Sequence, residues 1–176
     1  MRNSIKCFVA GIGAFALLSD GAVAGNPVSH HDAMTAVAPL GPTDIRASFG
    51  TDAISAVIVT LVPPKYSDRQ SDVSACTHSR NPCSLVARLR LRVGKNEVQV
   101  PPSVTLRLAD VNRANLRRIS AAMFELVLEC GNASEAYNAH VIFNEKRVTE
   151  VDIFASEAGM LAEKVIYSDL SNAFDD

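Results

Sequence analysis

Tryptophan is absent from the chain, and aromatic residues make up only 6% of it. The three tyrosines, Tyr66, Tyr137 and Tyr167, are too scattered for a platform on which bases or sugars could stack. Gly (9) and Pro (8) are too few for a fibrous or low-complexity chain. No excess of one charge exists either. The formal net charge is −2 and the pI is near 6.1, which gives the whole chain no pull toward nucleic acid or anionic membrane. The catalytic strings G-x-S-x-G and H-E-x-x-H do not occur, nor does a P-loop, a dinucleotide fingerprint or a calcium loop, so no cofactor or metal is expected.

Long apolar runs are scarce as well. Residues 8–18 form an uncharged, largely apolar run of 11, which rises about 16 Å as a helix against a hydrocarbon core of roughly 30 Å. Arg2 and Lys6 precede it, and Ala22-Val23-Ala24 follows it with the small residues a signal peptidase requires. These are the three parts of a secretory signal peptide, residues 1–24. Cys7 lies before the apolar run rather than after it, which argues against an acylated lipoprotein cysteine. The expectation is a periplasmic or secreted protein with no stable membrane insertion.

Removing 24 of the 176 residues leaves 152, enough to bury about two-thirds of the unfolded surface without metal or many disulfides. Cys76, Cys83 and Cys130 remain. An oxidising compartment favours pairing, and the polar, turn-prone stretch between Cys76 and Cys83 makes that pair the expected disulfide, stabilising by about 2–3 kcal/mol. Cys130 is then a buried, inert thiol. A zinc site from Cys76, His78, Cys83 and Cys130 has suitable residue types, but the spacing C-x-H-x4-C is not a usual ligand pattern. His30-His31-Asp32 reads as a solvated polar stretch rather than a transition-metal site. Asn132-Ala133-Ser134 would accept a glycan only in a eukaryotic secretory pathway.

Residues 25–51 carry five Pro and Gly after position 26, at Pro27, Pro39, Gly41, Pro42 and Gly50, and read as an irregular leader. A single β-rich domain is expected over 52–168, and an acidic tail over 169–176. Residues 54–62 are apolar on both parities, as in a central strand covered on both sides. Residues 85–93 alternate, with Leu85, Ala87, Leu89, Leu91 and Val93 on one face and Arg88, Arg90 and Arg92 on the other. Gly94-Lys95-Asn96 suggests a hairpin turn into 97–100. Val104, Leu106 and Leu108 alternate again. Asp110 suits the cap of a short helix through Leu116 and Ile119. Alternation returns at 124–128 and through a hairpin over 137–155, and Val165, Ile166 and Tyr167 favour a last strand over a helix. The predicted fold is all-β: an antiparallel sandwich or partly open barrel of about seven to eight strands, with at most one or two short helices.

Charge is sorted along the chain. Residues 25–79 carry a net of −2, residues 80–119 hold 9 basic and 2 acidic residues, and residues 120–176 hold 3 basic and 11 acidic residues. The favoured account is internal pairing, with the strand of Arg88, Arg90 and Arg92 lying beside that of Glu125 and Glu129. A basic face for a partner of matching charge is the compatible functional account. The best catalytic fragment is Cys130 with His140 and Asn132 or Asn138. Strand parity, however, sends Cys130 inward and His140 outward. The expected function is therefore an exported, non-enzymatic binding protein acting on another protein, such as an inhibitor or immunity-type protein that occludes an enzyme. The alternatives are a small exported hydrolase or thiol enzyme using Cys130 and His140, or an envelope assembly subunit.

Overall fold

The computed structural model describes residues 33–63, 76 and 83–168. The expected signal peptide, His30, His31, Asp32, Tyr66, His78, Arg80 and the acidic tail lie outside the described residues. The described chain runs β1 (Thr35–Ala36), β2 (Gly41–Phe49), β3 (Asp52–Leu61), β4 (Leu85–Val93), β5 (Asn96–Val98), α1 (Pro102–Thr105), β6 (Val111–Arg118), β7 (Phe124–Cys130), β8 (Tyr137–Phe143), β9 (Val148–Ala155) and β10 (Met160–Ile166). Two antiparallel sheets result, a four-stranded one in the order β2-β3-β4-β5 and a six-stranded one in the order β1-β6-β7-β8-β9-β10. The fold is sandwich-like and not a closed barrel.

The inner faces share one core. Ile45, Ile54, Ala56, Ile58, Leu89 and Leu91 meet Ala114, Leu116, Leu126, Leu128, Val141, Phe143 and Val151 there. Period-two alternation places these residues on one side of each strand, and their burial stabilises by about 1.5–3 kcal/mol for each large aliphatic side chain. The sheets are also joined through the backbone. Leu85 bridges Ala109 on one flank, and Gln99 exchanges hydrogen bonds with Lys146 and Val148 on the other. Gly94 turns β4 into β5 with φ 59°, a left-handed conformation that glycine adopts without steric cost.

Four local expectations are corrected. The irregular leader does not extend to residue 51, because Gly41–Phe49 is a strand paired along its whole length with β3. Pro42 fits there because β2 is an edge strand, whose free side needs no N–H for a ladder. No helix follows Asp110; residues 111–118 form β6, in which Ala114 and Leu116 turn inward while Arg113 and Arg117 turn outward. The apparent alternation at Val104, Leu106 and Leu108 is instead a single helical turn opened by Pro102. Val104 and Leu108, four residues apart, are buried and Leu106 is exposed. Finally, β3 is buried on one face only. Ile54, Ala56, Ile58 and Thr60 are buried, while Ser55, Val57 and Val59 are half-buried on the outer face.

Candidate functional site

β4 carries the arginine row, and its register departs from strict alternation at one point. Val59 pairs with Arg88 but Thr60 pairs with Val86, so Ala87 is an extra residue in a β-bulge. The bulge turns Val86 into the core and leaves Ala87 exposed, the reverse of the parity read from the sequence. Beyond it Arg88, Arg90 and Arg92 are all exposed on one face, as expected.

The sheet register extends that row sideways. Arg92 pairs with Ser55, which pairs with Arg46 of β2; Arg90 pairs with Val57, which pairs with Asp44; Arg88 pairs with Val59, which pairs with Pro42. Arg46 thus joins the three arginines on the same outer face. The sequence reading missed it because it lay within the presumed leader. A usable signal was present, since Asp44, Arg46 and Ser48 alternate with Ile45, Ala47 and Phe49. Between the walls formed by β2 and β4 the smaller residues of β3 leave a groove of about 480 Å³, lined in part by Asp44, Arg46, Ser55, Val57, Arg90 and Arg92. Among the described residues, one carboxylate lies within ion-pair reach of these four guanidinium groups. It is Glu97, 3.9 Å from Arg92, with both side chains 60% exposed. Such a pair is long, solvated and weak.

The expected pairing of this row with Glu125 and Glu129 does not form, because β4 and β7 lie in different sheets. Charges matter to strand pairing less than core burial does, and other arginines serve those glutamates. Arg113 contacts Glu129 at 2.6 Å, and Arg117 stands opposite Glu125. Glu125 also meets His140 Nδ1 at 2.7 Å, and the imidazole packs on Phe154 with ring centroids 4.9 Å apart. Lys164 reaches Glu150 at 2.5 Å and Asp152 at 3.5 Å. The hydrogen bond from Lys164 holds the Glu150 carboxyl below its usual range, while burial, reinforced by Glu150, pushes Asp152 up. The outer face of the six-stranded sheet therefore neutralises much of its own charge, and that of the four-stranded sheet sets four arginines against Asp44 and Glu97.

The cysteines separate into two places. Cys76 and Cys83 lie at disulfide distance, with Cα atoms 5.8 Å apart. Cys130 belongs to the shared core, opposite Tyr137 on β8. Burial pushes its thiol up to about 12, so little thiolate forms near neutral pH. His140 is on the outer face with Glu125, and the two residues of the candidate thiol pair are not brought together. Asn132 is exposed and caps the short turn after β7 by accepting from the Ala133 N–H at 3.0 Å. Among the described residues no cluster of three or more His, Cys, Asp or Glu is arranged for a metal ion, and no helix is long and apolar enough to cross a membrane.

Compared with protein-family models, with curated proteins and with solved structures, the chain matches none.

Proposed function

We propose that this is an exported, non-enzymatic binding protein that engages an acidic surface of a partner protein through the arginine face of its four-stranded sheet, in the manner of an inhibitor or immunity protein. One observation carries the reading: Arg46, Arg88, Arg90 and Arg92 share a solvent-facing surface on which they outnumber the described carboxylates Asp44 and Glu97, and the one ion pair among them is the exposed Arg92–Glu97 contact at 3.9 Å. Guanidinium groups suit planar recognition of carboxylates, and a concentrated field of one sign raises the rate of encounter with a partner of the other. The charged start, short apolar run and Ala22-Val23-Ala24 support export, and the Cys76–Cys83 pair accords with an oxidising compartment.

Capture by the immobilised protein from its own and neighbouring cells, followed by mass spectrometry, supplies the partner for the test. Association is then followed by stopped flow with the triple variant Arg88→Glu, Arg90→Glu, Arg92→Glu. The expected result is an association rate lowered by about tenfold or more at low salt, with an unchanged circular dichroism spectrum. An unchanged rate overturns the reading.

An assembly subunit is the second reading, and it draws on β10. Among the described residues this edge strand pairs on one side only, and it exposes Met160, Leu161 and Ile166. Such edges accept further strands. A higher-order species in light scattering that disappears on Leu161→Lys would favour it.

A further inference from the structure

We infer that the groove along β3 receives an extended acidic segment of the partner protein, laid face-on over Ser55, Val57 and Val59. One carboxylate of the segment lies between Arg46 and Arg92, and a second lies four residues along it beside Arg88. The inference rests on the reading above, that this face binds protein, and specifies the form and charge pattern of what it binds.

The width of the groove selects an extended chain. β2 and β4 flank β3, so their backbones are about 9.6 Å apart, while an α-helix with side chains is about 10–12 Å across. The side chains of Arg46 and Arg92 narrow the opening further. An extended chain fits this valley, and a helix can only ride on top of it.

Spacing selects the pattern. Arg88, Arg90 and Arg92 recur on one face of β4 at steps of about 6.8 Å, the same repeat with which an extended ligand presents alternate side chains. The three rows differ in charge. In the first, Ser55 lies between Arg46 and Arg92, with Glu97 beyond Arg92 at 3.9 Å, so two guanidinium groups share one weakly held carboxylate. In the second, Arg90 and Asp44 stand on either side of Val57, one charge of each sign. In the third, Arg88 faces Pro42 across Val59 and is the charged residue among these three. One positive charge is in excess over Ser55 and another beside Arg88, and none is in excess between them. An uncharged side chain suits the middle row.

A continuous polyanion fits less well. The chain as a whole carries a net of −2, and residues 120–176 hold 11 acidic residues against 3 basic ones. A nucleic acid or long anionic glycan leaving the groove meets repulsion that a short acidic segment avoids. Val57, half-buried in the floor, and Val59, half-buried next along the same face of β3, also offer apolar contact that suits peptide side chains better than sulfated sugars.

The test is fluorescence anisotropy of the purified protein with a fluorescein-labelled seven-residue threonine peptide bearing glutamate at its second and sixth positions. Replacing both glutamates by glutamine should weaken binding by about fivefold or more, and Arg46→Gln or Arg92→Gln should each weaken it by about threefold or more. Arg117→Gln, on the outer face of the other sheet, should leave it within about twofold. Equal binding of the glutamate and glutamine peptides overturns the inference. So does tighter binding of a sulfated hexasaccharide or a ten-nucleotide single strand. The two levels are separable. If the triple arginine reversal slows partner association while both peptides bind alike, the basic-face reading stands and the extended-segment inference falls. If neither effect is seen, both fall.

Discussion

Asp110 and Ser84 hold each other through two hydrogen bonds. The Asp110 N–H donates to the Ser84 carbonyl at 2.6 Å, and the Ser84 N–H donates to Asp110 Oδ1 at 2.9 Å. Asp110 is fully buried with φ 48°, and its own carbonyl accepts from the Gly131 N–H at 3.0 Å. One residue therefore joins the start of β4, the start of β6 and the end of β7. Asp is among the few residues that adopt this left-handed conformation readily.

Asp110→Ala should destabilise by about 2–4 kcal/mol, since it leaves the buried Ser84 N–H without its acceptor and forces alanine into a disfavoured φ. Asp110→Asn keeps both the acceptor oxygen and the tolerance for positive φ, and should cost about 1 kcal/mol or less. Urea midpoints of the two variants check the ranking.

Cys130 makes the fold sensitive to alkali. Its thiol is pushed up to about 12 by burial, whereas an unfolded cysteine titrates near about 8.5. Native and unfolded chains hold this proton equally below the unfolded value. Above it, the unfolded chain releases the proton and the native chain retains it. Stability should therefore fall by about 1.4 kcal/mol per pH unit from about pH 9 until the native thiol itself ionises. Tyr137, whose hydroxyl is also pushed up by burial, adds a loss of the same sign above about pH 10. Urea melts between pH 7 and 11 should show the slope, and Cys130→Ala should reduce it. Native protein at pH 8 should resist iodoacetamide at Cys130, and urea-unfolded protein should react.

The outward arginines should matter little to folding. Arg88→Glu, Arg90→Glu and Arg92→Glu should each change stability by less than about 1 kcal/mol. Leu91→Ala, a substitution between two of them on the same strand, should cost about 2–5 kcal/mol because Leu91 is fully buried in the shared core. Thermal melts of the four variants decide this. A loss of several kcal/mol at any of the arginines would remove the solvent-facing row on which the proposed function depends.

Cys76 and Cys83 are seven positions apart in sequence and close a short loop. The double variant Cys76→Ser, Cys83→Ser should lose about 2–3 kcal/mol. The loss should appear as a lower urea midpoint with the same β-type circular dichroism spectrum, because the core lies elsewhere.

Residue order was informative wherever alternation was strict and local. β7, β8 and β9 are legible in residues 124–155 because Leu126, Leu128, Ala139, Val141 and Val151 alternate with neighbours that are polar apart from Val127 and Ile142, and side-chain direction in a strand depends on position alone. β2 was obscured because Gly41 and Pro42 suggest a loop, and only membership of an edge makes proline acceptable in a strand. β6 was obscured because a residue suited to capping a helix stands before it, whereas its pairing with β7 was decided by distant contacts. The outward exposure of Arg88, Arg90 and Arg92 was readable from spacing. The bulge at Ala87, the fourth arginine at Arg46 and the groove over Ser55 were not.

Periodicity by itself determined that this chain forms antiparallel strands with a guanidinium row facing water, because a pleated backbone sends alternate side chains to opposite sides whatever lies beside it. Tertiary structure alone decided which strands became neighbours. It gave Glu129 to Arg113 and Glu125 to His140, and it left the β4 arginines with Arg46 across a shallow groove. Core burial outweighs weak surface ion pairs, so packing rather than charge set the order of the sheets.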